Sequence, residues 1–102
     1  MFYIKEGVQL TASKTVLEIL YGVHSACESL GVPCTITSGR DGTHDPHSKH
    51  YTDEALDFRV RDIKVDLHQP LVETIKKYLG QNFTVLHEGD HIHVQVKRGS
   101  PV

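Results

Sequence analysis

Apolar residues recur at steps of three and four in two segments of the chain, a spacing typical of amphipathic helices. The segments are Ser13–Leu30 and Gln69–Leu79. Gly31 and Pro33 predict the end of the first helix, because glycine takes the left-handed turn and proline cannot continue the hydrogen-bond ladder. The apolar stripe predicted on this helix comprises Val16, Leu17, Leu20, Val23, Cys27 and Leu30.

Alternation of apolar and polar residues predicts strands in the remaining segments. They are Cys34–Thr37, Ala55–Val60 and a terminal hairpin of Phe83–His87 and His91–Lys97, while residues 38–49 read as a loop. Helix, strand, loop, strand, helix and hairpin in this order indicate an α+β fold. We expect a small, mostly antiparallel sheet with the helices on one face.

Length and composition limit the classes of protein. The chain of 102 residues and 11.5 kDa is long enough for one domain, so residues 1–102 are predicted to form a single domain. A formal charge of −2 argues against nucleic acid as a partner, and no apolar run reaches the ~20 residues of a membrane span. Because no secretory signal is apparent, we expect synthesis in the cytoplasm, with Cys27 and Cys34 as buried thiols. We also expect a monomer.

Strand alternation also sorts the residues that can carry chemistry. Asp57 alternates with the apolar side chains of its strand, and His91 and His93 alternate with those of the last strand. These three side chains are therefore predicted on the sheet face that points away from the core. His50 lies in the loop that leads directly into the Asp57 strand, so it can fold onto the same face.

Two histidines and an aspartate are suitable ligands for zinc, which binds imidazole nitrogen and carboxylate oxygen at about 2.0–2.2 Å. Three protein ligands with an open position are typical of a catalytic zinc site, whereas structural sites usually have four ligands and favour cysteine. Two other interpretations need no metal: a polar sheet face, and a histidine surface that responds to pH.

Three segments resemble one family of enzymes. Residues 48–57 read SKHYTDEALD and resemble the Ser-x-His-x-x-Gly-x-Ala-x-Asp motif of zinc D-alanyl-D-alanine carboxypeptidases and dipeptidases, which phage L-alanyl-D-glutamate endopeptidases share. Residues 90–94, DHIHV, resemble the second motif of that family, and residues 37–40, TSGR, resemble the segment with its conserved arginine. The amino-terminal signalling domain of Hedgehog is a structural relative. The resemblance thus implies a fold of the Hedgehog and D-alanyl-D-alanine peptidase type.

The resemblance implies a ligand set and a catalytic group. His50, Asp57 and His93 correspond to the ligands of one zinc ion per chain. Asp90 corresponds to the catalytic acid and base, and Glu88 in the same hairpin turn is the alternative base.

Further site residues follow from the same resemblance. Arg40 corresponds to the group that holds the substrate carbonyl or the oxyanion. His91 is implied as a catalytic-site residue that supports the ligands or binds substrate, and His44 as a residue that lines the cleft. Asp53 stands where the family usually has glycine, a departure that bears on the pose of His50. Asp tolerates left-handed backbone better than most residues, so we expect the turn to be accommodated.

The implied function is that of a zinc metallopeptidase acting on peptidoglycan stem peptides that contain D-amino acids. It would act as a D-Ala-D-Ala carboxypeptidase or, like an endolysin, as an L-Ala-D-Glu endopeptidase. Phage lytic enzymes of this kind stay in the cytoplasm until the membrane is opened and then reach the cell wall. The alternative is a non-catalytic, zinc-containing binding module of the same fold, in which Arg40 and Asp90 would have no task.

Overall fold

The helices and strands of the protein are seen in a computed structural model, which describes residues 2–10, 13–39 and 55–97. These residues form a small α+β unit with a five-stranded sheet and two α-helices. Neither helix combines the length and apolar character needed to cross a bilayer. In chain order the elements are β1 (Phe2–Ile4), α1 (Lys14–Leu30), β2 (Cys34–Ser38), β3 (Ala55–Arg59), a 3₁₀ turn (Val65–Leu67), α2 (His68–Leu79), β4 (Phe83–Glu88) and β5 (His91–Val96).

The sheet has the strand order β1-β2-β3-β5-β4 and is mixed. β1 pairs with β2 in parallel, whereas the other neighbouring pairs are antiparallel. The prediction of a mostly antiparallel sheet was therefore wrong. The parallel pair arises because the crossover through α1 returns the chain beside β1 in the same direction. β1 itself was not predicted, because its 3 residues are too few to show alternation.

Local capping chemistry explains the bounds of α1. The Ser13 hydroxyl accepts a hydrogen bond from the backbone N–H of Val16 at 3.1 Å, which satisfies one of the unpaired donors of the first turn. Gly31 ends the helix in the left-handed region at φ 67°. The helix predicted over Ser13–Leu30 is thus confirmed to within one residue, with Ser13 as its cap.

One face of the sheet packs against both helices and forms the core. In β3 and β5 the buried side chains alternate with polar ones, and Leu56, Phe58, Ile92 and Val94 join the helix residues in one cluster. Leu17 was predicted on the buried stripe of α1, but its side chain is 53% exposed. The buried stripe instead runs through Thr15, Val16, Ile19, Gly22, Val23, Ala26 and Cys27.

Cys27 and Cys34 are both buried and unoxidised, which confirms the prediction of ordinary thiols. Their side chains form a hydrogen bond where the end of α1 meets the start of β2. This hydrogen bond and the burial raise the pKa of the Cys34 thiol above its usual range. Cys34 therefore belongs to the core and is not a reactive group.

Candidate metal centre and adjoining cavity

The register of β3 and β5 brings the predicted residues together on the face that points away from the core. Asp57 lies directly opposite His93, and Arg59 lies directly opposite His91. The next strand, β4, places Glu88 opposite His91. The prediction that Asp57, His91 and His93 share this face is confirmed.

Asp57 and His93 form a close and shielded pair. Oδ1 of Asp57 lies 2.8 Å from Nδ1 of His93, and each side chain is only 14% exposed. On the other side of the ring, Nε2 lies 2.7 Å from Oε1 of Gln95. Both ring nitrogens thus face oxygen acceptors. The hydrogen bond to Asp57 is the main reason that the pKa of His93 is raised, with burial acting in the opposite direction.

The chemistry of this pair suits a divalent cation such as zinc. Once His93 loses a proton, donation from Nε2–H to Gln95 leaves the lone pair on Nδ1, the nitrogen beside the carboxylate. Metal-binding histidines commonly donate their other N–H to an oxygen acceptor, which orients the ring. Asp57 and His93 therefore fit two positions of a ligand set made of oxygen and nitrogen donors.

Three predicted site residues, among them the third ligand, lie in a different part of the chain. Within residues 2–10, 13–39 and 55–97, no group of three or more His, Cys, Asp or Glu side chains could hold a metal ion. The third predicted ligand, His50, lies outside these described residues, as do Arg40 and His44. Their roles remain predictions, and so does the effect of Asp53 on the turn.

The hairpin turn between β4 and β5 carries the two candidate bases. Oδ1 of Asp90 lies 3.1 Å from Nδ1 of His91, and this hydrogen bond is the main cause that lowers the pKa of Asp90. Oε1 of Glu88 lies 3.5 Å from Nε2 of the same ring. The backbone carbonyl of Asp90 accepts a hydrogen bond from the N–H of Val60 at 3.0 Å, which ties the turn to the end of β3. His91 therefore lies between the two acids.

A cavity of about 260 Å³ connects the Asp57 side of the pair to the turn. Asp90 faces this cavity together with Asp57, whereas Glu88 lies outside it. Of the two candidate bases, Asp90 therefore shares a cavity with Asp57. The described residues that line the cavity are Lys5, Thr37, Asp57, Arg59, Arg61, Asp90 and His91.

The basic residues of the cavity lining were not predicted as site residues from the sequence. Lys5 was missed because it follows β1, the strand that was not predicted. Arg59 carried a signal in the sequence, because it follows Asp57 by two positions and therefore lies on the same face of β3. Gln95 also lies on this face, because it follows His91 and His93 at steps of two residues along β5.

Comparisons with known proteins add no family assignment: no protein-family model matches the chain, and no curated protein matches it. Function is therefore inferred from the site itself.

Proposed function

We propose that the protein is a zinc metallopeptidase that hydrolyses peptidoglycan stem peptides containing D-amino acids. The observation that carries this proposal is the shielded Asp57–His93 pair beside a cavity that also contains Asp90. The three motif resemblances support it, because they place a third ligand and an arginine in the segment between β2 and β3. They also support a fold of the Hedgehog and D-alanyl-D-alanine peptidase type, and action on the cell wall after release from the cytoplasm.

The proposed ligands are His50, Asp57 and His93. Zinc bound there would supply a Lewis acid that lowers the pKa of water and polarises a carbonyl group. Asp57 contributes a carboxylate that burial keeps away from competing solvent, and its partner ring is oriented by Gln95. The open side of this pair faces the cavity, which is where a peptide would enter.

Asp90 is proposed as the group that moves protons. Its exposed carboxylate is ionised near neutral pH, so it can accept a proton from the attacking water. It would then return this proton to the leaving amine when the peptide bond breaks. His91 positions the carboxylate through its 3.1 Å contact with Oδ1. Arg40 is proposed to hold the developing oxyanion with a fixed positive charge.

The test is mass spectrometry of purified stem peptides incubated with the zinc-loaded protein, with and without a chelator. We expect cleavage that the chelator abolishes, and the fragment masses then identify the bond as D-Ala–D-Ala or L-Ala–D-Glu. Asp57→Asn should abolish cleavage, whereas Asp66→Asn, at an exposed position in the 3₁₀ turn, should retain it. Intact peptides from protein that holds one zinc ion would contradict the peptidase and favour the non-catalytic binding module.

A further inference from the structure

The cavity beside the Asp57–His93 pair has an acidic and a basic part. Asp57 and Asp90 supply the acidic groups, and three cationic side chains, Lys5, Arg59 and Arg61, supply the basic part. These cations, here called the cationic subsite, come from different parts of the fold. The sheet order brings them together, so the cluster is not a run of charge along one segment.

Backbone pairing fixes two of the cationic residues. Lys5 continues the line of β1, because its N–H donates to the carbonyl of Ile36 in β2 at 2.9 Å. Arg59 lies on β3, two residues beyond Asp57 and on the same face, directly opposite His91. Its side chain is 22% exposed, so its guanidinium lies partly sheltered at the cavity wall.

Arg59 retains binding capacity toward a ligand. One guanidinium nitrogen lies 3.6 Å from a carboxylate oxygen of Asp62, a distance that is long for a charge-assisted hydrogen bond. A guanidinium has five N–H donors in a planar fork that matches the two oxygens of a carboxylate. Arg61 lines the same cavity as Asp90, so a second guanidinium faces the space beside the proposed base.

Charge and size together select the ligand. Among the described residues of the lining, three cations exceed two carboxylates by one positive charge, and a divalent cation at Asp57 and His93 would increase the excess. The cavity therefore attracts an anionic group. Its volume of about 260 Å³ lies just below the usual range for ligand pockets and suits a fragment the size of one amino-acid residue.

From this geometry we infer that Lys5, Arg59 and Arg61 bind a free α-carboxylate on the substrate residue that supplies the leaving amine. This inference rests on the proposed peptidase function and specifies its substrate. A C-terminal D-alanine carries such a carboxylate, and so does D-glutamate when the peptide continues through its γ-carboxyl group. The subsite thus requires a carboxylate next to the scissile amide in either substrate.

The test measures binding and cleavage separately. Peptide binding to the metal-free chain of 102 residues is followed by NMR titration. The ligands are D-alanyl-D-alanine, L-alanyl-D-glutamate γ-amide, and the α-carboxamide form of each. We expect each carboxylate peptide to bind about tenfold to hundredfold more tightly than its carboxamide, with amide shifts near Lys5 and Arg59. Comparison of the two dipeptides shows whether the subsite prefers the α-carboxylate of D-alanine or that of D-glutamate.

Variants assign the preference to the subsite. Arg59→Gln should reduce the preference for carboxylate about tenfold, because Lys5 and Arg61 remain, and Arg59→Lys should reduce it less. Lys77→Gln, at an exposed position of α2, should leave it unchanged. The dispersion of the amide spectrum shows whether each variant is folded. A preference that is undiminished in Arg59→Gln would overturn the inference. Equal binding of both forms, or no binding of any peptide, would overturn it as well.

Hydrolysis by the zinc-loaded protein separates this inference from the proposed function. A protein that binds the carboxylate peptides selectively but cleaves no stem peptide contradicts the peptidase and supports the subsite. A protein that cleaves carboxylate and carboxamide substrates with the same kcat/KM supports the peptidase and overturns the subsite. If the protein is a peptidase and also has the cationic subsite, we expect KM to rise about tenfold or more in Arg59→Gln while kcat changes less.

Discussion

Oδ1 of Asp57 and Nδ1 of His93 lie 2.8 Å apart across two neighbouring strands, although the residues are separated by 36 positions in the sequence. The β3–β5 register creates this contact by setting the two residues opposite each other. A slip of one residue would turn Asp57 toward the core, because successive side chains point to opposite faces. The apolar side chains that alternate with Asp57 and His93 therefore maintain the site as well as the fold.

Stability of the metal-free protein should depend on pH through His93. Its pKa is raised above the ordinary value of 6.5, mainly by the hydrogen bond to Asp57, so the native state binds the proton more tightly than the unfolded chain does. The stabilisation is fully present below the unfolded pKa and is lost as pH rises through the native pKa. We expect the urea midpoint to fall as pH is raised from 6.5 upward.

The Asp57→Asn variant tests the cause of this pH dependence. Without the carboxylate, the fall in urea midpoint over that interval should become smaller. His24→Gln is the matched control, because His24 lies on α1 away from the site and pairs with Glu28 at 3.5 Å. A pH dependence that is unchanged in Asp57→Asn but reduced in His24→Gln would show that the pair is not responsible.

Gln95 should control the affinity for zinc without touching the ion. Its Oε1 lies 2.7 Å from Nε2 of His93 and so selects the nitrogen that carries the proton. Loss of such a partner typically weakens metal binding about 10- to 100-fold. We expect this loss in Gln95→Leu, measured by competition with a zinc chelator. Gln81→Leu, at an exposed position before β4, should bind zinc like the wild type; equal affinities in both variants would exclude this role.

The two acids of the hairpin turn should differ in their effect on hydrolysis. Asp90 faces the cavity with Asp57, so Asp90→Asn should lower kcat by about 10²- to 10⁴-fold, the usual contribution of a general acid and base. Glu88→Gln should lower kcat by less than about tenfold, because Glu88 touches His91 but lies outside the cavity. Zinc content should be unchanged in both variants. The opposite order of the two effects would identify Glu88 as the base.

Gly39 should be intolerant of a side chain. A Cβ at this buried position would collide with the backbone carbonyl of Gln9 and with Leu10, which brace the end of β2 just before Arg40. We expect Gly39→Ala to lower the free energy of unfolding by about 1–3 kcal/mol. In the comparison variant Gly22→Ala, the new methyl group meets side-chain atoms of Leu79 and no backbone atom, and helix propensity gains about 1 kcal/mol, so this variant should lose less stability. Urea unfolding of both variants measures the difference, and a Gly39→Ala variant as stable as the wild type would contradict the close approach.

Local rules made the helices and the face of the site predictable from sequence. The cap at Ser13 and the left-handed Gly31 bound α1, and both depend on neighbouring residues alone. The alternation around Asp57 and His93 identified their common face, because the intervening residues are strongly apolar and buried.

Long-range pairing explains what the sequence did not reveal. β1 is held in place by β2, far along the chain, so its 3 residues carry no pattern of their own. Lys5, Arg59 and Arg61 become neighbours only through the order of the strands, and no spacing predicts such a cluster. The position of Asp90 in the cavity lining, with Glu88 outside it, also required the structure, since alternation gives no direction for a side chain in a turn.

Zinc binding tests the central claim most directly, because each step of the proposed hydrolysis depends on the ion. Native mass spectrometry of the protein with added zinc should show one ion per chain in the wild type and none in Asp57→Ala or His93→Ala. Asp66→Ala, with a carboxylate removed far from the pair, should still bind one ion. A wild-type chain that binds no zinc, or variants that bind it as tightly as the wild type, would contradict a metal centre at Asp57 and His93.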